Sequence, residues 1–166
     1  MTTNTTADTS ADNNTDRWFA LAADVALFAL DNNGLLNVLL IERGNDPDDP
    51  FAGHWALPGG CVEIDDDETF EQAARRELAE ETGLIAPAVL LPVGHYDDPK
   101  RDPRGRVISM AFTGYLRRLT EPTAGDDAAA AQWVLVDELN LDALAFDHAD
   151  ILQAALAAYP NIPEER

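Results

Sequence analysis

The sequence predicts an α/β fold, an α/β/α sandwich around a mixed β-sheet, and three observations carry that prediction. Two nearly unbroken apolar runs near the start, "FALAADVALFAL" and "LLNVLLIERG", read as strands buried on both faces. A helical pattern over 70–82 follows them, and further strand-like runs follow the helix. A second helical pattern, "DHADILQAALAAY", closes the chain. Strands, helix, strands, helix in this order suit a sheet covered on both sides.

The elements can be justified in turn. Residues 1–16, "MTTNTTADTSADNNTD", hold nothing more apolar than alanine after Met1, so they are expected to form a disordered tail. One domain is expected over 17–160, with a short C-terminal tail at 161–166. "DNNG", residues 31–34, joins the first two strands as a tight turn. A loop rich in Pro and Asp, "NDPDDPFAGH", leads to "WALPGG", a short strand and turn. Thr69 and Gln72 form a capping box at the start of the first helix, and Gly83 ends it in a left-handed turn. Strands are expected at about 88–95, 106–116 and 131–136. In the last helix Asp147 is placed to cap, while Ile151, Leu152, Ala155 and Leu156 share one apolar stripe. Trp55 and Trp133 read as core aromatics before they read as stacking platforms for a base.

Composition excludes several classes. A chain of 166 residues suits one domain that buries roughly two-thirds of its unfolded surface. Its single cysteine, Cys61, has no partner for an internal disulfide and no nearby base. No apolar run approaches the roughly 20 residues of a membrane span, and no signal peptide is visible, so a cytoplasmic protein is expected. Net charge is −20, from 31 acidic and 11 basic residues, which argues against nucleic acid or anionic membrane as a partner. Lys100 is the one lysine. His54, His95 and His148 are not spaced as metal ligands, and His148 reads as structural.

The chemistry gathers in "GGCVEIDDDETFEQAARRELAEETGL", residues 59–84, with nine carboxylates against two arginines. At 100° per residue Glu77, Glu80 and Glu81 fall within an arc of about 100°, beside Ala74 and Leu78 on the core side. Like charges so close on a helix repel by a few tenths of a kcal/mol per pair. Two readings follow: a solvated acidic face, or hard oxygen ligands for a dication that cancels the repulsion. Arg76 lies four residues before Glu80, and Glu68 sits where it can reach that guanidinium, whose planar fork suits a carboxylate. The preceding "LPGG" lets backbone approach a ligand closely.

From Glu68 through Arg76, Glu77, Leu78, Glu80, Glu81, Gly83 and Leu84 the stretch resembles the Nudix box. Gly60 precedes Glu68 by two residues more than the family pattern, and the extra length is assigned to Asp65, Asp66 and Asp67 as a lengthened loop, either acidic surface decoration or an outer shell to the metal. Beyond the box, "VLLIERG", "GHWALPGG", "RDPRGRVIS", "AGDDAAAAQW" and "LAFDHADIL" resemble the ADP-ribose pyrophosphatase-like branch, so the likeness covers most of 20–158. The resemblance implies a Nudix-type α/β/α sandwich and a hydrolase of nucleoside diphosphates linked to another group, with ADP-ribose split to AMP and ribose 5-phosphate. It implies Mg²⁺, with Mn²⁺ as a substitute, held by Glu77, Glu80, Glu81 and the Gly60 carbonyl. Glu81, or an acidic segment at Glu121, Asp126 and Asp127, would act as base, while Arg76 orients and Glu68 pairs with it. Arg43, Arg104 and Arg106, with Arg101, are either surface arginines or a cationic island for phosphate. Two alternatives stay open: a sanitising nucleoside triphosphate pyrophosphohydrolase and a non-catalytic nucleotide-sugar sensor. Some regulators of this branch add a winged-helix segment; an end at Arg166 and the acidity favour an enzyme acting on a small molecule. Homodimers are common in similar families.

Overall fold

Alternation along the first strand sets the architecture. In β1, Phe19–Leu30, residues Ala23, Val25 and Leu27 point into one apolar cluster, whereas Ala26 and Phe28 point into another on the opposite face. A strand apolar on both sides needs a cover on both sides, and two helices provide it. This computed structural model describes residues 19–125 and 128–159; the expected tails, together with Asp126 and Asp127, lie outside the described residues.

The remaining strands are β2 (Leu36–Arg43), β3 (Trp55–Ala56), β4 (Gly59–Cys61), β5 (Leu91–Tyr96), β6 (Arg106–Leu116) and β7 (Ala128–Leu135). They form one sheet with the order β3-β2-β1-β6-β5, in which β4 also pairs with β1 and β7 with β2. Only the β1–β6 pairing is parallel among these ladders, so the sheet is mixed as expected. The "DNNG" turn holds because the Asp31 carboxylate accepts the N–H groups of Asn33 and Leu35, both at 2.8 Å, while Gly34 takes a left-handed φ of 79°.

Helix α1, Phe70–Thr82, follows the sequence reading closely. Thr69 and Gln72 make the capping box, and Gly83 closes the helix at φ 67° with its N–H on the Ala79 carbonyl. Ala73, Ala74 and Leu78 bury their side chains against the β1 cluster. Helix α2, His148–Ala158, covers the other face through Ile151, Leu152 and Ala155, with Leu156 packed beside them. Trp55 and Trp133 flank the two clusters, as expected of core aromatics.

Three expectations need correction. The strand expected from residue 88 starts at Leu91, because Arg75 draws the carbonyls of Pro87 and Ala88 away from any ladder. The strand expected over 131–136 runs Ala128–Leu135: its alanines, poor strand formers alone, are recruited by pairing with β2. Asp147 does precede α2, but its side chain makes no cap; both oxygens accept from Arg101, at 2.6 and 2.9 Å. Among the described residues no helix is long and apolar enough to cross a membrane.

Candidate active site

One end of the sheet gathers the exit of β2, the turn into β4, the start of β6 and one face of α1. Helix α1 brings Arg76 to that end. Its guanidinium donates to both oxygens of Glu68 (2.9 and 3.0 Å), to Glu77 (2.8 Å), to Glu80 (3.0 Å) and to the Cys61 carbonyl (2.9 Å). The expected Arg76–Glu68 pair is therefore present, and the Arg76 bond to the Cys61 carbonyl clamps α1 to β4. The guanidinium holds the Glu68 carboxyl below its usual range.

The three helix carboxylates adopt different settings. Glu80 is exposed, at 58%, and among the described residues its carboxylate reaches only the arginine. Glu77 is half-buried against Gly60, where a Cβ would lie 2.4 Å from its carboxylate, so a side chain at that position would push the Glu77 carboxylate aside. Burial raises the Glu77 pKa, opposed by Arg76. Glu81 is buried, accepts the Gly59 N–H at 2.9 Å, and has no ion pair among the described residues. Burial pushes its carboxyl up to about 8; the Gly59 hydrogen bond opposes the rise and the Glu77 charge adds to it. Glu77, Glu80 and Glu81 share one face of α1, as the helix spacing predicts. Their side chains turn to Arg76 and Gly59, and among the described residues no three His, Cys, Asp or Glu side chains are gathered to hold an ion.

The donor set still fits a hard dication. Every candidate ligand on this face is an oxygen, two carboxylates have raised pKa values, and Glu81 is a buried acid that a cation would relieve. Nearby, Gly125 packs so closely on the end of α1 that a Cβ would meet the Glu80 carbonyl at 1.6 Å, which brings the 121–125 segment to the site. Glu121 is exposed there; Asp126 and Asp127 lie outside the described residues. The lengthened loop is a short 3-10 turn, Ile64–Asp66, followed by Asp67 at φ 54°, and its aspartates are exposed.

The arginines do not form a single free cationic island. Arg43 and Arg104 come together over the Phe146 ring, at 5.0 and 5.6 Å, but Arg43 is paired with Asp49 and Arg104 with Asp102. Arg106 instead faces Asp97 at 3.9 Å. Arg101 is no surface residue: it is buried between Asp147 and Asp24. A cavity of about 720 Å³ opens beside Phe146 and is lined also by Tyr96, Arg101 and Asp147.

Sequence reasoning missed the polar group under the glycine turn. Asp24, on β1, accepts from the Ser109 hydroxyl at 2.5 Å and faces His148 at 3.6 Å. His148 Nδ1 accepts the Leu57 N–H at 2.9 Å, which places the ring proton on Nε2. The available signal was a lone aspartate inside the otherwise apolar run "FALAADVALFAL". His148 also yields a pH prediction. Burial lowers its pKa, so the unfolded chain takes up a proton near pH 6.5 that the folded chain refuses. Its contribution to stability is therefore intact above that pH and lost as pH falls below it. Thermal melts at pH 7 and pH 5 should show a larger drop for the wild type than for His148→Asn; equal drops would contradict a neutral buried ring.

Comparison with known proteins agrees with this geometry. The NUDIX domain model matches residues 19–155. The chain is 48% identical over 121 residues to the ADP-ribose pyrophosphatase of Methanocaldococcus jannaschii, covering 70% of this chain and 63% of that protein. It is 36% identical over 142 residues to the ADPR responsive transcriptional repressor NtrR of Acinetobacter baylyi, covering 85% of this chain and 54% of that protein. It thus spans about half to two-thirds of the length of these relatives. Among solved structures, the NUDIX domain of Shewanella oneidensis NrtR complexed with ADP ribose superposes with a TM-score of 0.76 at 28% identity, covering 90% of this chain and 94% of that one. Since the domain match runs from β1 into α2 and encloses the whole Arg76 clamp, the chain belongs to the NUDIX domain family.

Proposed function

We propose that the chain hydrolyses the diphosphate bridge of a nucleoside diphosphate linked to a second group, with ADP-ribose as substrate and AMP and ribose 5-phosphate as products. The observation that carries the reaction class is the clamped acidic face of α1, with Glu81 buried behind it. The substrate rests on the 48% identity to an ADP-ribose pyrophosphatase.

One water adds across the P–O–P bridge. Glu77, Glu80, Glu81 and the Gly60 carbonyl would hold Mg²⁺, or Mn²⁺ in its place, which supplies positive charge against the diphosphate and a lowered pKa for water. A cation held there would offset the burial that raises the Glu81 carboxyl to about 8 and would leave it ionised to accept a proton. Arg76 and Glu68 keep the helix face in register with the glycine turn. Arg43 and Arg104 bind the phosphates by exchanging Asp49 and Asp102 for substrate oxygens, and Phe146 between them fixes their direction. Arg106, which faces Asp97, would supply a further cation to the substrate.

The 36% identity to an ADPR responsive repressor favours a second reading, a sensor that binds ADP-ribose without turnover. Purified protein with Mg²⁺ and a panel of nucleotides separates the readings. ADP-ribose should give AMP and ribose 5-phosphate, with kcat/KM at least about tenfold above that for any nucleoside triphosphate, a difference of about 1.4 kcal/mol in the transition state. Release of pyrophosphate from a triphosphate as the better reaction would instead identify a sanitising enzyme. Tight binding without products would identify the sensor.

A further inference from the structure

The polar group beneath the glycine turn is expensive to build. Asp24, Arg101 and His148 are all buried, and a buried charge group is commonly no more stable than apolar residues of the same volume. Its contacts lead to one place. His148 takes the Leu57 N–H, the Val25 N–H donates to the Pro58 carbonyl at 2.8 Å, and Asp24 lies opposite Gly59 in the β1–β4 ladder. Gly59 in turn donates its N–H to Glu81. The approach is so close that a Cβ on Gly59 would lie 2.4 Å from the Ala23 carbonyl and 2.6 Å from the Asp24 carboxylate.

We propose that His148 and Asp24 are positioning residues for Glu81. His148 fixes the 57–59 turn from below, and Asp24, itself held by Ser109 and flanked by Arg101, keeps the His148 ring in the tautomer that accepts from Leu57. The Gly59 N–H then meets the Glu81 carboxylate in one position instead of several. This rests on the role assigned to Glu81 above, but the hydrogen-bond chain can be read without any turnover.

The test uses the full chain and two readouts. Amide hydrogen exchange by NMR reports the Gly59 N–H directly, and steady-state kinetics with ADP-ribose and Mg²⁺ report the reaction. In His148→Leu, which removes the acceptor, Gly59 exchange should rise at least about tenfold and kcat should fall at least about tenfold, with KM within about threefold. His148→Asn restores an acceptor and should recover most of both. A purely structural role would free the Leu57 amide and leave Gly59 and kcat unchanged, and that result overturns the proposal. Should Gly59 exchange rise while kcat holds, Glu81→Gln decides: an inactive Glu81→Gln overturns positioning, whereas an active one overturns the catalytic assignment of Glu81 and leaves the hydrogen-bond chain standing. If His148→Leu does not fold, the isosteric Asp24→Asn carries the same comparison.

Discussion

Glu81→Gln should lower kcat for ADP-ribose at least about a hundredfold, a loss of about 2.7 kcal/mol in the transition state. The substitution keeps the volume and keeps an oxygen for the Gly59 N–H, so the fold and the turn should survive. What it removes is the ability to carry negative charge and to take up a proton, and both are asked of Glu81 in the proposed reaction. Stability should move the other way. In the unfolded chain this glutamate ionises near its ordinary pKa of about 4.3, whereas in the fold burial holds it protonated up to about 8. A raised acid contributes stability below its unfolded pKa and loses it as pH rises towards the folded value. In the presence of a chelator, therefore, Glu81→Gln should gain in melting temperature over the wild type between pH 5 and pH 8. Turnover above a tenth of wild type at saturating Mg²⁺ would sink the assignment.

Arg76→Ala should be costly twice over. The guanidinium serves Glu68, Glu77 and Glu80 and also the Cys61 carbonyl, so its loss leaves three carboxylates repelling one another and unpins α1 from β4. Glu68 and Glu77 are mostly shielded from solvent, which makes the loss heavier than for a surface pair. We expect about 2 kcal/mol of destabilisation and a fall of roughly 4–8 °C in melting temperature for a chain of this size. kcat/KM should fall at least about thirtyfold, since the Glu77 carboxylate and the glycine turn lose their common anchor. Arg76→Lys keeps the charge without the fork, so it should restore stability more fully than activity. A variant with normal kcat/KM at a temperature where it is folded would show that the clamp is structural only.

Much of this was legible in the sequence, for reasons that differ by element. Helix α1 was readable to the residue because its signals are local: the capping box at Thr69 and Gln72, the glycine at 83, and a periodic apolar face. The Arg76–Glu68 pair followed from the same geometry. The start of β5 was not readable, since it depends on Arg75 capturing carbonyls more than ten residues on. The alanines of β7 carry little preference of their own and follow β2. Arg101 looked like a surface cation because nothing nearby in sequence announces Asp147, 46 residues later, or Asp24. The helical wheel placed Glu77, Glu80 and Glu81 on one face correctly, but side-chain direction depends on partners, which here are Arg76 for Glu77 and Glu80 and the Gly59 N–H for Glu81.

The parallel ladder between β1 and β6 bears on how the chain comes to exist at all. Phe19 faces Arg106 and Ala29 faces Leu116, so partners along this ladder are separated by 87 residues. An antiparallel hairpin such as β1–β2 can close within microseconds once its turn is made, but the central ladder must wait for β6. During synthesis β1 therefore leaves the ribosome with one long, apolar edge unsatisfied until residue 116 has emerged. At translation rates of about 5–20 residues per second that interval lasts several seconds. A strand order that places the first strand at the centre of the sheet makes folding of this chain late and non-local, with a period of exposure to aggregation set by the translation rate.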